Sequence, residues 1–220
     1  MNLPMCLLNT LAIVTTAFAF AFPALAVETK AVTKIMVYGD SLSAAYGINP
    51  AQGWVSLMEA KLVDKNVNMI NASISGETTT GGASRIKTDL ARHKPNIVIL
   101  ALGANDGLRG LPIVEIRKNL VKMLAEIKRV NARAIVVGIQ IPPNYGIDYA
   151  VKFKNTFANL ATENRLPLVP FLLDGIAESL DNFQPDRLHP TAAVQPRILA
   201  NVLPVVERAL ASPTNAMAKK

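Results

Sequence analysis

The 220-residue sequence has one cysteine, Cys6, two histidines, His93 and His189, and only 5% aromatic residues. Cys6 lies inside an apolar leader, so the rest of the chain has no thiol. That excludes disulfides, a cysteine nucleophile and a thiolate-bound metal. No His/Asp/Glu cluster has metal-ligand spacing, and no Gly-rich phosphate loop of the Walker or dinucleotide type occurs, so neither metal nor cofactor is implied. Linker-like Gly/Ser stretches and internal repeats are also missing. The length then fits one ordinary globular domain.

Charge is absent from the start of the chain: no acidic residue precedes Glu28 and no basic residue precedes Lys30. Residues 7–22 are largely apolar, and Pro23-Ala24-Leu25-Ala26 ends in the small-x-small pattern of a signal-peptidase site. A spanning helix needs about 20 predominantly apolar residues. Asn9, Thr10, Thr15, Thr16 and Pro23 interrupt this one. Cys6 lacks a small-residue lipobox before it. The expectation is a signal peptide over 1–26 cleaved after Ala26, a folded domain over 27–211, a polar frayed tail over 212–220, and a periplasmic or secreted location.

What remains is basic, with 23 Lys and Arg against 16 Asp and Glu and a formal charge of +7. Such a balance suits anionic substrates or transient contact with an anionic membrane surface. Arg117, Lys118, Lys122, Lys128, Arg129 and Arg133 cluster around one predicted helix, without interleaved aromatics or a nucleic-acid module. They read as a solvated face, and nucleic acid is not an expected partner. A monomer is expected.

Beyond the leader, strand-period and helix-period segments alternate, the pattern of βαβ units around a parallel sheet. Strands are predicted at 33–39, 67–72, 96–102, 134–141 and 168–170. Helices are predicted at 54–65, 78–93, 112–130, 148–165 and 191–210, with Thr79 or Thr80 capping the second. The run 96–102 is continuously apolar and β-branched, as in a central strand covered on both faces. The expected class is α/β, a five-stranded parallel sheet with helices on both faces.

Ser41, in Gly39-Asp40-Ser41-Leu42-Ser43, sits where the first strand should end. Ligands of open α/β sheets bind outside the carboxyl ends of the strands. The loops around Gly76 and Asn105 also follow predicted strands, so all three converge on one edge. Downstream, Asp186-Arg187-Leu188-His189 places a carboxylate three residues before an imidazole. Serine is unreactive at its own pKa and needs a base, which in turn needs an orienter; His189 and Asp186 fit those roles. His93, beside Arg92 at a predicted helix end, reads as a charge facing the helix dipole. An acyl carbonyl attacked by Ser41 becomes an oxyanion, and the N–H groups of Ser41 and Gly76 with the Asn105 amide are the candidate donors. Taken alone, Asp-x-x-His equally suits a surface loop with a helix-capping acid. Asp40 and Asp106 read as loop-ordering residues, and Trp54 as core.

These blocks together resemble the SGNH hydrolases, the lipase and esterase family named for Ser, Gly, Asn and His. Gly39 to Ser43 resembles the first block, Gly76 the second, Gly103-x-Asn105-Asp106 the third and Asp186-x-x-His189 the last. Segments around Asn71, Asn105 and Asn144-Tyr145-Gly146 are similar to the secreted thioesterase, lysophospholipase and arylesterase branch. The resemblance implies a flavodoxin-like three-layer sandwich, a Ser41, Asp186, His189 triad and an oxyanion hole from Ser41, Gly76 and Asn105. It further implies that Gly107, Leu108, Arg109, Gly110, Leu111 and Pro112, with Tyr145, border the substrate. Without it, 107–112 is equally a Gly-rich turn before a helix. Where the family often has Gly-Gly-Asn-Asp, this chain has Gly103-Ala104.

The expected activity is hydrolysis of small-molecule acyl esters and thioesters, lysophospholipids among them, through an acyl-enzyme. The α/β-hydrolase elbow Gly-x-Ser-x-Gly is absent around Ser41. Two alternatives stand beside this reading. One is a carbohydrate or peptidoglycan O-acetylesterase, against which the scarcity of sugar-stacking aromatics counts. The other is a non-catalytic lipid-binding envelope protein, which would not require Ser41, Asn105, Asp186 and His189 together.

Overall fold

Strand β1, Thr33–Gly39, is where the two layers of the core meet. Its residues alternate between faces: Ile35 and Val37 join one apolar cluster, Met36 and Tyr38 the other, and all four are fully buried. In this computed structural model, residues 32–212 are described. The expected leader, with its cleavage site after Ala26, and the tail beyond 212 lie outside them.

Four further strands follow: β2 Val67–Asn71, β3 Ile97–Ala101, β4 Arg133–Val137 and β5 Leu168–Val169. Every pairing is parallel, in the order β2-β1-β3-β4-β5. This is the flavodoxin-like order, and its switch point lies between β1 and β3, where the chain turns to opposite sides of the sheet. Helices α1, Trp54–Leu62, and α6, Gln195–Ala211, cover one face through Trp54, Met58, Val202 and Val206. On the other face lie α2 Thr79–His93, α4 Ile113–Arg129 and α5 Ile147–Glu163, packing Ile86, Leu120, Phe153 and Phe157 inward. Each such side chain contributes about 1.5–3 kcal/mol when fully buried, which explains a core built without crosslinks. Among the described residues, no helix is long and apolar enough to cross a membrane.

The structure shifts three sequence expectations for physical reasons. Thr78, rather than Thr79 or Thr80, caps α2 by accepting from Gly81 N–H, because the Thr79 hydroxyl is bound to Asp106. The loop expected after β3 contains a short helix, α3, Ala104–Leu108, whose single turn gives no periodic signal. The strand expected over 134–141 ends at Val137, since β5 offers only two paired residues. Residues 139–141 leave the sheet, and Ile139 and Ile141 line a cavity instead, with Gln140 between them.

Candidate active site

The turn carrying Ser41 leaves β1 at Gly39, where backbone and side chain crowd together. A Cβ on Gly39 would sit 2.8 Å from the Ala101 carbonyl oxygen and 2.9 Å from Ser43 Oγ, so only glycine lets β1 and β3 approach here. The Asp40 carbonyl accepts from Ser43 and Ala44 N–H at 3.1 and 3.0 Å, coiling the segment immediately after Ser41. Asp40 Oδ1 accepts from Leu42 N–H at 3.1 Å. Complete burial pushes the Asp40 carboxyl up to about 6, although the Leu42 and Ala104 N–H groups favour its charged form. Trp54 Nε1 donates to the Leu42 carbonyl at 3.1 Å, so a core side chain also anchors the nucleophile turn.

From the opposite end of the chain, 183–190 forms a tight loop tied to the first. Phe183 pairs with Pro190 across its base, and Gln184 Nε2 donates to the Tyr46 and Pro190 carbonyls at 2.8 and 3.1 Å. This closure brings the imidazole to the serine: His189 Nε2 lies 2.9 Å from Ser41 Oγ, and Nδ1 lies 2.6 Å from Asp186 Oδ2. Asp186 Oδ1 accepts from Leu188 and His189 N–H at 2.9 and 3.0 Å. The His189 hydrogen bond, then the two backbone N–H groups, hold the Asp186 carboxyl down at about 2. The carboxylate is thus charged and fixes Nδ1 as the protonated nitrogen, so Nε2 faces Ser41 as an acceptor.

The third cluster combines the turn after β2 with the segment after β3. Glu77 N–H donates to the Ile74 carbonyl at 3.1 Å, closing a turn with Gly76 at φ +79°. A Cβ on Gly76 would meet nothing within 4 Å, so glycine is required there by the left-handed backbone rather than by crowding. Asn105, on α3, donates from Nδ2 to the Glu77 carbonyl at 2.9 Å. Its neighbour Asp106 accepts from Thr79 N–H at 2.8 Å and from the Thr79 hydroxyl, so adjacent residues of α3 are both tied to the start of α2. Burial raises the Asp106 carboxyl, and the two Thr79 bonds oppose that. Neither Ser41 nor Gly76 N–H has a hydrogen-bond partner among the described residues, which leaves both open to an incoming oxygen.

A cavity of about 450 Å³ opens beside Ser41, Asn105 and His189, walled mainly by apolar side chains such as Ile139, Ile141, Phe171, Leu173 and Phe183. Of the segment 107–112, Leu108 lines it; Arg109, Gly110, Leu111 and Pro112 do not, and neither does Tyr145, whereas Pro142 and Pro143 do. Gly107 is packed behind the wall, where a Cβ would lie 2.7 Å from Phe153 Cζ and 2.8 Å from Ile141 Cγ2. Sequence reasoning did not find the wall contributed by 171–183, or Tyr46, whose ring centroid lies 4.4 Å from that of His189. The first carries no spacing signal, and the second becomes visible only when the two loops meet. His93 ends α2 and lies apart from this site. No group of three or more metal-capable side chains occurs among the described residues.

A hydroxyl, a carboxylate-oriented imidazole and free N–H donors at the carboxyl edge of a parallel sheet define a serine hydrolase. The sequence matches the GDSL-like Lipase/Acylhydrolase family over residues 37–195, and the chain belongs to that family, as the resemblance implied. It is 40% identical over 182 residues to Esterase TesA of Pseudomonas aeruginosa, covering 82% of this chain and 90% of that protein. It is 35% identical over 164 residues to Thioesterase 1/protease 1/lysophospholipase L1 of Escherichia coli K12, covering 74% and 78% respectively. A crystal structure of TesA superimposes with a TM-score of 0.77 at 40% identity, covering 80% of this chain and 99% of that one. The chain is accordingly an enzyme, a serine esterase, and Ser41, His189 and Asp186 are hydrogen-bonded in series in the arrangement of a Ser-His-Asp triad.

Proposed function

We propose that this enzyme is an exported hydrolase of medium- or long-chain acyl esters and thioesters, lysophospholipids included. The observation that carries this reading is the position of Ser41, at the edge of an apolar cavity of about 450 Å³. At about 30 Å³ per water-sized unit, that space holds on the order of fifteen such units, far more than an acetyl group fills. The alkyl chain of the acyl group occupies it, and the leaving group lies against His189.

Ser41 Oγ attacks the carbonyl carbon while His189 Nε2 takes its proton, and the carbonyl π pair moves onto oxygen. The Ser41 and Gly76 N–H groups and the Asn105 amide receive that charge; one such donor is worth about 10²–10³ in turnover. Collapse of the tetrahedral species breaks the bond to the leaving group, which takes the proton back from His189. Water then attacks the acyl-Ser41 ester with the same base and donors, releasing the carboxylic acid and regenerating the serine. The apolar leader with a small-x-small end at Ala26 supports export. The test is a ladder of p-nitrophenyl esters from acetyl to palmitoyl, run with Ser41→Ala alongside. The expected result is a Ser41-dependent maximum above butyryl; a maximum at acetyl overturns the reading in favour of an O-acetylesterase.

A further inference from the structure

Among the described residues, the most enclosed ion pairs are those built around Arg85 of α2. Its Nε donates to Glu77 Oε2 and its Nη1 to Asp89 Oδ2, both at 2.7 Å. The three side chains are 12–20% exposed. The guanidinium lies over the ring of Tyr38, 4.1 Å from its centroid, and the Tyr38 hydroxyl donates to the Gly82 carbonyl of the same helix at 2.8 Å. A planar guanidinium can stack on an aromatic face while bridging two carboxylates, which an ammonium group cannot do in one geometry.

The cluster's other end is at the active site. Glu77 is bonded through every part: Oε2 to Arg85, Oε1 to Thr78 N–H, its own N–H to Ile74, and its carbonyl to Asn105 Nδ2. A Cβ on Gly81 would collide with Glu77 Oε1, so the carboxylate is seated on the bare backbone of α2. Glu77 thus closes, through its own N–H to Ile74, the turn that holds Gly76, and receives the Asn105 amide on its carbonyl, while its side chain is held by Arg85.

We propose that Arg85 is a positioning residue for the oxyanion hole, fixing the Gly76 N–H and the Asn105 amide through its clamp on Glu77. This rests on the reading of Gly76 and Asn105 as oxyanion donors. Misplacing a donor by a fraction of an ångström weakens its contact with the transition state while leaving the apolar contacts of the acyl chain with the cavity wall untouched.

The test compares Arg85→Gln, Arg85→Lys and the milder Glu77→Gln with the wild type, and uses Asn105→Ala as the reference for a lost donor. Each is assayed for kcat and KM on one p-nitrophenyl ester, for inhibition by the matching trifluoromethyl ketone, and for binding of the product fatty acid. Thermal unfolding is followed in parallel. Arg85→Gln is expected to lower kcat about tenfold and to weaken the ketone by a similar factor, with KM and fatty-acid affinity within twofold. Arg85→Lys should recover part of the loss. Glu77→Gln, which keeps the side-chain shape, should show the same pattern in smaller degree and serves should Arg85→Gln not fold. A reduced melting temperature with unchanged kcat and ketone affinity overturns the proposal and leaves the clamp a purely structural one. So does an equal loss of ketone and fatty-acid affinity. If Asn105→Ala itself leaves ketone affinity unchanged, the donor assignment fails, and with it the premise of the clamp.

Discussion

Asp186 holds His189 twice: one carboxylate oxygen takes the backbone N–H at 3.0 Å and the other the ring Nδ1 at 2.6 Å. One three-residue bend therefore sets both where the imidazole sits and which of its nitrogens carries the proton. Asp186→Asn leaves an amide able to keep the backbone bond, but an amide N–H facing Nδ1 turns that nitrogen into the acceptor and moves the ring proton to Nε2. His189 would then present a donor to Ser41. The expected loss is on the order of 10³- to 10⁴-fold in kcat with little change in KM or melting temperature, measured by steady-state kinetics and calorimetry.

The same carboxylate predicts how the loop responds to acid. Its pKa falls from an ordinary 3.8 to about 2 on folding, so its stabilising interaction is fully present above about pH 4 and is lost as pH falls through 2. Carboxyl carbon NMR of Asp186 through an acid titration should show the side chain still ionised at pH 4. Protonation well above that pH would contradict the assignment.

Asp40 behaves in the opposite sense. Burial raises its pKa from 3.8 to about 6 in the fold, so the unfolded chain loses this proton first. Between those values the native state holds more protons, and stability falls as pH rises; the contribution is fully present below about pH 4 and gone above about 6. The span corresponds to roughly 3 kcal/mol. Asp40→Asn should flatten that part of a urea-denaturation series whatever its effect on absolute stability, and an unchanged slope between pH 4 and 6 would assign it to other groups.

The candidates Ser41, Gly76, Asn105, Asp186 and His189 could be picked out in the sequence because each stands in a short local pattern at a strand end or in a bend. The sheet was legible because alternation in β1 and the apolar run of β3 are dictated by two covered faces. Harder to read was anything made by two distant segments meeting. Ile139 and Ile141 look like the continuation of β4, yet they are apolar because they line the cavity. Leu172, Phe183 and Leu188 have no common period, and only the fold brings them to one wall. The Thr79 hydroxyl was misread as a cap because its partner, Asp106, lies 27 residues away.

Gly107 separates a packing role from a substrate role. It stands in α3, where alanine would have the better helix propensity, by about 0.8–1 kcal/mol. Against that, a methyl group would press on Phe153 and Ile141 at 2.7–2.8 Å, and overpacking of this kind costs about 1–3 kcal/mol. Gly107→Ala is therefore expected to lower the melting temperature and, by displacing Ile141 from the cavity wall, to reduce activity on long chains more than on short ones. A melting temperature equal to or above that of the wild type would show that Phe153 yields without cost.

Ala177 offers the sharpest control over chain length. It lines the cavity from the 171–183 side, yet the residue itself is exposed, so a larger side chain there need not break the core. Ala177→Phe adds a ring at the cavity wall, a volume of several methylenes, while leaving Ser41, His189 and the donors untouched. The acyl chain and the ring would compete for the same space, and each methylene excluded forfeits about 0.8 kcal/mol of burial. On the p-nitrophenyl ladder the optimum should move toward shorter chains, with kcat/KM for butyryl within twofold of wild type and the longest esters reduced tenfold or more. The acetyl rate should barely change, because an acetyl group does not extend to that wall. If the long-chain rates are unaffected, the acyl chain lies elsewhere, and 107–112 becomes the segment to alter next.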